Sequence, residues 1–309
     1  MVRILAGQIR SFTYAAYAKV NPISVVRRAN RLVEAELSHW VPHSAGSLPL
    51  RILPSKQIAD RKPEHGYRNT EYDKLNNGPG GPAPKRDFTG TWAGPIAAQN
   101  GDTPSFTPEG QKLFSMNKPE AKFHVAGTND AFVRTCDPLG FPRNIIFEIR
   151  GISFANIPDR VIILNQYQRA WREVWTDGRQ LPTNVGGTGK DAPDPRYYGY
   201  SVGKWVDDYT FVIDTTGLDD KTWLNGAGYP HSIEAHVQER YTRVDHNDLQ
   251  LTVTVDDPKV YAKPFVLGKA GFKWLPDQQL AEQLCVPSEM VQYLNIIGDP
   301  GGNGVRPSK

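Results

Sequence analysis

Three familiar catalytic signatures are missing from this 309-residue chain. No GxGxxG turn opens a strand–helix unit, no Walker loop cradles a phosphate, and no GxSxG elbow presents a serine. Dinucleotide redox chemistry, phosphoryl transfer and elbow-type ester hydrolysis lose their usual supports, and no organic cofactor is expected. Cysteine is scarce. Cys136 and Cys285 are the only two, and neither sits in a CxxC pair, so no metal is expected through them. They leave two states open: a disulfide closing a very long loop, or two buried thiols in a reducing cytosol.

Long apolar runs are also lacking. No stretch approaches the roughly 20 residues that span a bilayer, so no membrane span is expected. The segment FTYAAYAKVNPISVV is interrupted by Lys19, Asn21 and Pro22 and makes a poor secretory core. The expected location is cytoplasmic, with organelle targeting or export left open. Net charge is only +3, too small to imply a polyanion partner. Residues 1–33 hold no carboxylate, yet carry Arg3, Arg10, Lys19, Arg27, Arg28 and Arg31. A helical or flexible basic arm, a presequence and a nucleic-acid contact all fit that run. No zinc-finger spacing or RNA-binding aromatic motif accompanies it, so no nucleic-acid partner is expected.

Proline and glycine are plentiful, with 25 and 28 residues, and favour turns over long helices. Residues 25–39 have helical periodicity. Residues 76–87, NNGPGGPAPKRD, cannot build a core. The region 1–86 therefore reads as an N-terminal extension, a helix followed by a Pro/Gly-rich wrap, that packs on the main domain or joins a homodimer. Residues 87–298 read as the main β domain and 299–309 as a flexible tail. DFTGTW (87–92) marks a first strand. Thr107 and Pro108 open a short helix over 107–116. Further helical stretches are expected at 277–284 and 287–297.

Between them the pattern is β. Strands are expected at 144–150, 160–167 and 169–176, with hairpins pairing 200–205 with 209–215 and 236–244 with 249–257. In 169–176, Ala170, Arg172, Val174 and Thr176 share one face, and Trp171, Glu173 and Trp175 the other. In LQLTVTV, Leu249, Leu251, Val253 and Val255 share an oily face. Successive hairpins without intervening helices favour antiparallel pairing, and a closed barrel also removes exposed edges. A two-sheet sandwich is the alternative.

The polar residues of these turns nominate a site. His231, in GYPHS between a turn and a strand, can serve as a base near neutral pH, or merely cap backbone carbonyls. Asp214, inside the apolar YTFVIDT, needs a partner if buried. Asp177 and Arg179 share a turn, and Tyr261 is a candidate donor. Trp205, Trp223, Tyr198 and Tyr200 could line a pocket for a flat organic molecule. His236 lies on one face of its strand and Glu239 on the other. Of the adjacent Glu239 and Arg240, one should point inward.

CDPLGFPR (136–143), WTDGR (175–179), GYSVGKW (199–205), FVIDTTG (211–217), DDKTWL (219–224), GYPHS (228–232), HVQERY (236–241) and VDDPKVYAKPF (255–265) together resemble a large family of uncharacterised, mostly bacterial proteins. Its members commonly read CxPxGxPR, YTDGR, GHSVGRW, DKTWLD and GxPHSE. The likeness spans roughly residues 87–285. It implies a mainly β fold, an antiparallel lipocalin-like β-barrel with short peripheral helices, here behind a long N-terminal extension. It implies no established reaction. LDD at 218–220 departs from the family's more usual FND.

The leading expectation is a cofactor-independent enzyme acting on a hydrophobic or aromatic small molecule inside the barrel. Acid/base chemistry would serve isomerisation, cyclisation, elimination or hydrolysis. His231 would be the base, Asp214 or Asp177 its partner or acid, and Arg179 and Tyr261 would stabilise negative charge. Trp223, Trp205, Tyr198, Tyr200, Glu239 and His236 would contact the ligand. A non-catalytic carrier of an apolar ligand and a filled interaction module are the other two readings.

Overall fold

The computed structural model describes residues 80–146, 150–275 and 280–302. The expected helix at 25–39 and most of the Pro/Gly-rich wrap lie outside the described residues. Nine strands close into one barrel: β1 (Gly90–Asn100), β2 (Arg150–Ile157), β3 (Arg160–Asn165), β4 (Trp171–Trp175), β5 (Tyr200–Trp205), β6 (Thr210–Thr216), β7 (His236–Arg243), β8 (Asp248–Asp256) and β9 (Phe265–Trp274). Neighbours in sequence pair around the wall, and β9 returns to β1. The fold is therefore a lipocalin-like barrel, and the sandwich is excluded. No helix among the described residues is long and apolar enough to cross a membrane.

One junction departs from the expected antiparallel meander. β4 and β5 run parallel, with Val174 opposite Ser201. A tight hairpin can only reverse the chain, whereas a parallel return needs a crossover of about a dozen residues or more. The Gly/Pro-rich stretch 176–199 supplies that length. The wall is thus mixed.

Alternation sets the interior. On β8, Leu249, Leu251, Val253 and Val255 are buried, while Gln250 and Asp256 face out. On β4, Arg172 and Val174 are buried, and Trp171 is exposed. β5 and β6 match the expected hairpin, as do β7 and β8. β9 was not anticipated. FVLGKAGFKW carries two glycines, which blunt the strand signal, yet Phe265, Leu267, Ala270 and Phe272 are buried along it. A bulge between Val253 and Thr254 on the β8–β9 ladder breaks its alternation.

The short helices are α1 (Pro108–Met116), α2 (Glu120–Gly127), α3 (Ala131–Thr135), α4 (Arg143–Ile146) and α5 (Pro287–Tyr293). α5 continues through a π turn at Leu294–Gly298 into α6 (Asp299–Gly302). Thr107 caps α1 as expected, its hydroxyl accepting from Gly110 N at 3.0 Å. Two expectations fail here. NII at 144–146 is helical, not strand, because its first amide donates to Gly140 O and the next to Pro142 O, closing a turn. Short apolar runs are ambiguous in this way. The expected helix at 277–284 is not formed over 280–284, where the chain is extended and Gln283 bridges Tyr167. Residues 276–279 lie outside the described residues.

One end of the barrel is sealed. The Phe88 ring sits 4.7 Å from Trp205, 5.7 Å from Phe154 and 6.3 Å from Tyr241, all centroid distances. Arg243 sits behind this plug, 3 % exposed, with its guanidinium 4.8 Å from the Trp92 ring. It donates to Asp87 O and His246 O at 2.7 Å each. Gly203 is required nearby, since a Cβ there would strike Phe211 and Val174.

Candidate functional site

Next to this plug the interior turns polar, with Tyr241 belonging to both. Strand register stacks Ser201 against Thr215 and against Val174, Thr215 against Val237, and Ile163 against Arg172. Arg172, Ser201, Thr215, Glu239 and Tyr241 then form one hydrogen-bonded chain inside the wall. Tyr241 donates to Glu239 Oε1 at 2.9 Å, and Arg172 Nη2 donates to Glu239 Oε2 at 2.6 Å. The same Nη2 lies 3.2 Å from Ser201 Oγ, which is 2.9 Å from Thr215 Oγ1. The Arg172 and Glu239 side chains are 2 % and 0 % exposed. Charges this deep persist only when paired. Burial and the Glu239 charge push the Tyr241 phenol well above its usual range, so it keeps its proton and acts as a donor.

A loop roofs this layer. Phe141 is fully buried, and the Arg172 guanidinium lies 4.0 Å from its ring centre. Several bonds hold the loop in place. Phe141 N donates to Tyr197 O at 3.0 Å. Arg143 grips Asp130 with two bonds, 2.6 and 3.1 Å, in a buried pair. A disulfide joins Cys136 to Cys285 and resolves the two states left open by the sequence. Gly140 has φ +74°, and a Cβ there would strike Thr222, so the roof needs glycine to approach the 219–232 loop.

Several polar atoms of this region have no hydrogen-bond partner among the described residues. They are Arg172 Nε and Nη1, Asn165 Oδ1, and both amide atoms of Asn144. Asn165 follows by two residues the Ile163 that pairs with Arg172, so the two share the interior face diagonally. Asn144 lies one helical turn beyond Phe141. All three residues are at most 5 % exposed.

The residues nominated from sequence are dispersed. His231 is 2 % exposed in the 219–232 loop. Its Nδ1 faces Ser232 O at 3.1 Å, and a carbonyl can only accept, so Nδ1 carries the proton. Its Nε2 lies 3.0 Å from the Thr222 hydroxyl. Burial lowers its pKa, which keeps the ring neutral. The next residue, Ser232, bonds Asp257 through both N and Oγ, at 2.6 and 2.9 Å. Asp214 instead lies on the outer wall of β6, accepting from His236 Nε2 and Gln238 Nε2 at 3.0 Å each. That contact raises the His236 pKa and lowers that of Asp214.

Asp177 and Arg179 pair with each other at 2.6 Å in an exposed turn. Arg179 lies 3.3 Å from the Trp175 ring centre, and Arg160 lies 3.5 Å from it. Tyr261 is buried, donating to Pro230 O at 2.7 Å, and burial raises its pKa. Trp223 packs beside Arg143, and Trp205 joins the sealed end. Tyr198 is half-buried against the core, with its pKa pushed up to about 12 by burial. Tyr200 bonds Asp194 O under Arg196 at the surface. Only Glu239 among the nominated residues takes part in the interior chain.

Arg172, Ser201, Thr215, Tyr241, Asn144 and Asn165 were not nominated. A signal existed for Arg172: it shares a strand face with Val174, and Glu239 shares one with Val237. Two strands with one inward charge of opposite sign imply a buried pair. Among the described residues no group of three or more His, Cys, Asp or Glu side chains gathers to hold a metal ion. The barrel can enclose a small hydrophobic or aromatic molecule, and the buried polar and charged groups inside it are compatible with an active site. No protein-family model matches the chain, and no curated protein matches it.

Proposed function

We propose that this protein binds a small, mainly apolar molecule inside the barrel, at the polar layer beneath Phe141. The observation that carries this reading is the buried Arg172–Glu239 pair within an otherwise apolar interior. A filled interaction module gains nothing from that arrangement, since apolar residues of similar volume there are as stable or more so. Polar groups among aromatic and aliphatic walls are the usual composition of a small-molecule site.

A second reading is acid/base catalysis at the same place, favoured by the Tyr241–Glu239–Arg172 chain. It replaces the expected set centred on His231, because His231 is engaged with Thr222 and Ser232, and Asp214 with His236. Isomerase, cyclase, lyase and hydrolase chemistry stay within this second reading. The quoted motifs support kinship with the uncharacterised family, as a proposal. Several fall on strands β5, β6 and β7 and on the roof loop. The disulfide supports residence in an oxidising compartment in place of the cytoplasm.

The test uses N-phenyl-1-naphthylamine, a neutral dye that brightens in apolar surroundings. Wild type should show saturable 1:1 enhancement. Val253→Phe fills the interior and should abolish it, whereas Thr254→Phe on the outer wall should preserve it. Absence of enhancement, or equal binding by both variants, refutes enclosure.

A further inference from the structure

Resting on that reading, the geometry points to a ligand whose head group is neutral and both accepts and donates hydrogen bonds, as a primary amide or a hydroxyl does. The acceptor need comes from Arg172, whose Nε and Nη1 are donors without a partner among the described residues. The donor need comes from Asn165. Its Nδ2 lies 3.4 Å from Ala170 O, and only the nitrogen can donate to a carbonyl, so the amide orientation is fixed. Oδ1 is then a buried acceptor with no partner among the described residues.

Charge sets the remaining condition. The Arg172 cation is already matched by the Glu239 carboxylate at 2.6 Å. The other members of the layer, Asn165, Ser201, Thr215 and Tyr241, are uncharged. An anionic head would place a second negative charge against one guanidinium whose side chain is buried from solvent. A hydrocarbon head would leave the Arg172 and Asn165 atoms buried and unpaired. A neutral head with an oxygen acceptor and an adjacent N–H or O–H meets both requirements.

The experiment is isothermal titration of the full chain at pH 7 with three probes on one apolar body: 2-naphthamide, 2-naphthoate and 2-ethylnaphthalene. 2-Naphthamide should bind about tenfold more tightly than either of the others, the worth of one to two net hydrogen bonds. Asn165→Leu should erase most of that preference and leave 2-ethylnaphthalene binding unchanged. Asn165→Ala serves the same purpose if Asn165→Leu does not fold. Equal or tighter binding of 2-naphthoate overturns the neutral-head assignment. Equal binding of all three probes overturns the role of the polar layer, while enclosure by the barrel survives. Failure of all three, when N-phenyl-1-naphthylamine still binds, also overturns this inference alone. Failure of that dye as well removes the enclosure reading and this inference together.

Discussion

Replacing Arg172 with Met strips the buried Glu239 carboxylate of its only cation among the described residues. Glu239 would keep a single bond, from Tyr241 at 2.9 Å, in a position with no exposure to water. Leaving one member of a buried pair uncompensated costs about 3–5 kcal/mol. Glu239→Leu should cost a similar amount, because the Arg172 guanidinium would retain only Ser201, at 3.2 Å. The double variant behaves differently. Removing both charges recovers about 1–4 kcal/mol relative to the ion pair, set against about 1–3 kcal/mol for the stranded Tyr241 hydroxyl. Its stability should lie close to that of the wild type, so the two substitutions are strongly non-additive. Urea unfolding followed by tryptophan fluorescence measures this, with midpoints compared at matched slopes. A loss below about 1 kcal/mol for Arg172→Met, or a double variant that loses the sum of the singles, would refute the argument.

Three further outcomes follow from the same geometry. The Cys136–Cys285 bond closes a loop spanning a sequence separation of 149, so its reduction should cost about 5 kcal/mol in chain-entropy terms. Unfolding with and without dithiothreitol reads this directly, and an unchanged midpoint contradicts it. His231 has a lowered folded pKa, so the unfolded chain binds a proton near pH 6.5 that the folded chain refuses. Its contribution should be full above that pH and be lost on acidification, a slope that His231→Gln removes. His236 has a raised folded pKa, so its contribution is present below about pH 6.5 and lost as pH rises through the folded value. Urea midpoints at pH 5.5 and 7.5 for the wild type and the two Gln variants separate the effects. Arg243→Ala removes two charge-assisted bonds and a cation–π contact at the sealed end, and should cost about 3 kcal/mol by thermal or urea unfolding. A change within about 0.5 kcal/mol would show that Arg243 does not hold that end.

The barrel was legible because its strands alternate. LQLTVTV assigns one oily face, and successive hairpins of that kind close most simply on one another. β9 was missed because its two glycines and a register shift blur the period. The parallel β4–β5 pair depends on where a long loop returns, which no local pattern encodes. The site was less legible for a related reason. His, Asp and Tyr in turns are conspicuous as chemical types, yet Asp214 and His236 satisfy each other on the outer wall, and Tyr261 ends on a proline carbonyl. The groups that do share the interior come from β3, β4, β5, β6 and β7. Their meeting depends on register between strands far apart in sequence. Glu239 was found because adjacent Glu239 and Arg240 lie mid-strand on opposite faces, so one of the two must point inward, and Glu239 shares its face with the buried Val237. Arg172 likewise shares a face with buried Val174 on β4 and could have been found from that pairing.

The most direct test is where a bound molecule sits. Nuclear Overhauser contacts from N-phenyl-1-naphthylamine to methyl-labelled protein distinguish the two faces of the wall. Contacts to the inward methyls of Ile163, Ile213 and Val253 are the expected result. Contacts confined to the outward methyls of Ile162 and Val202, or none to any strand, would contradict it.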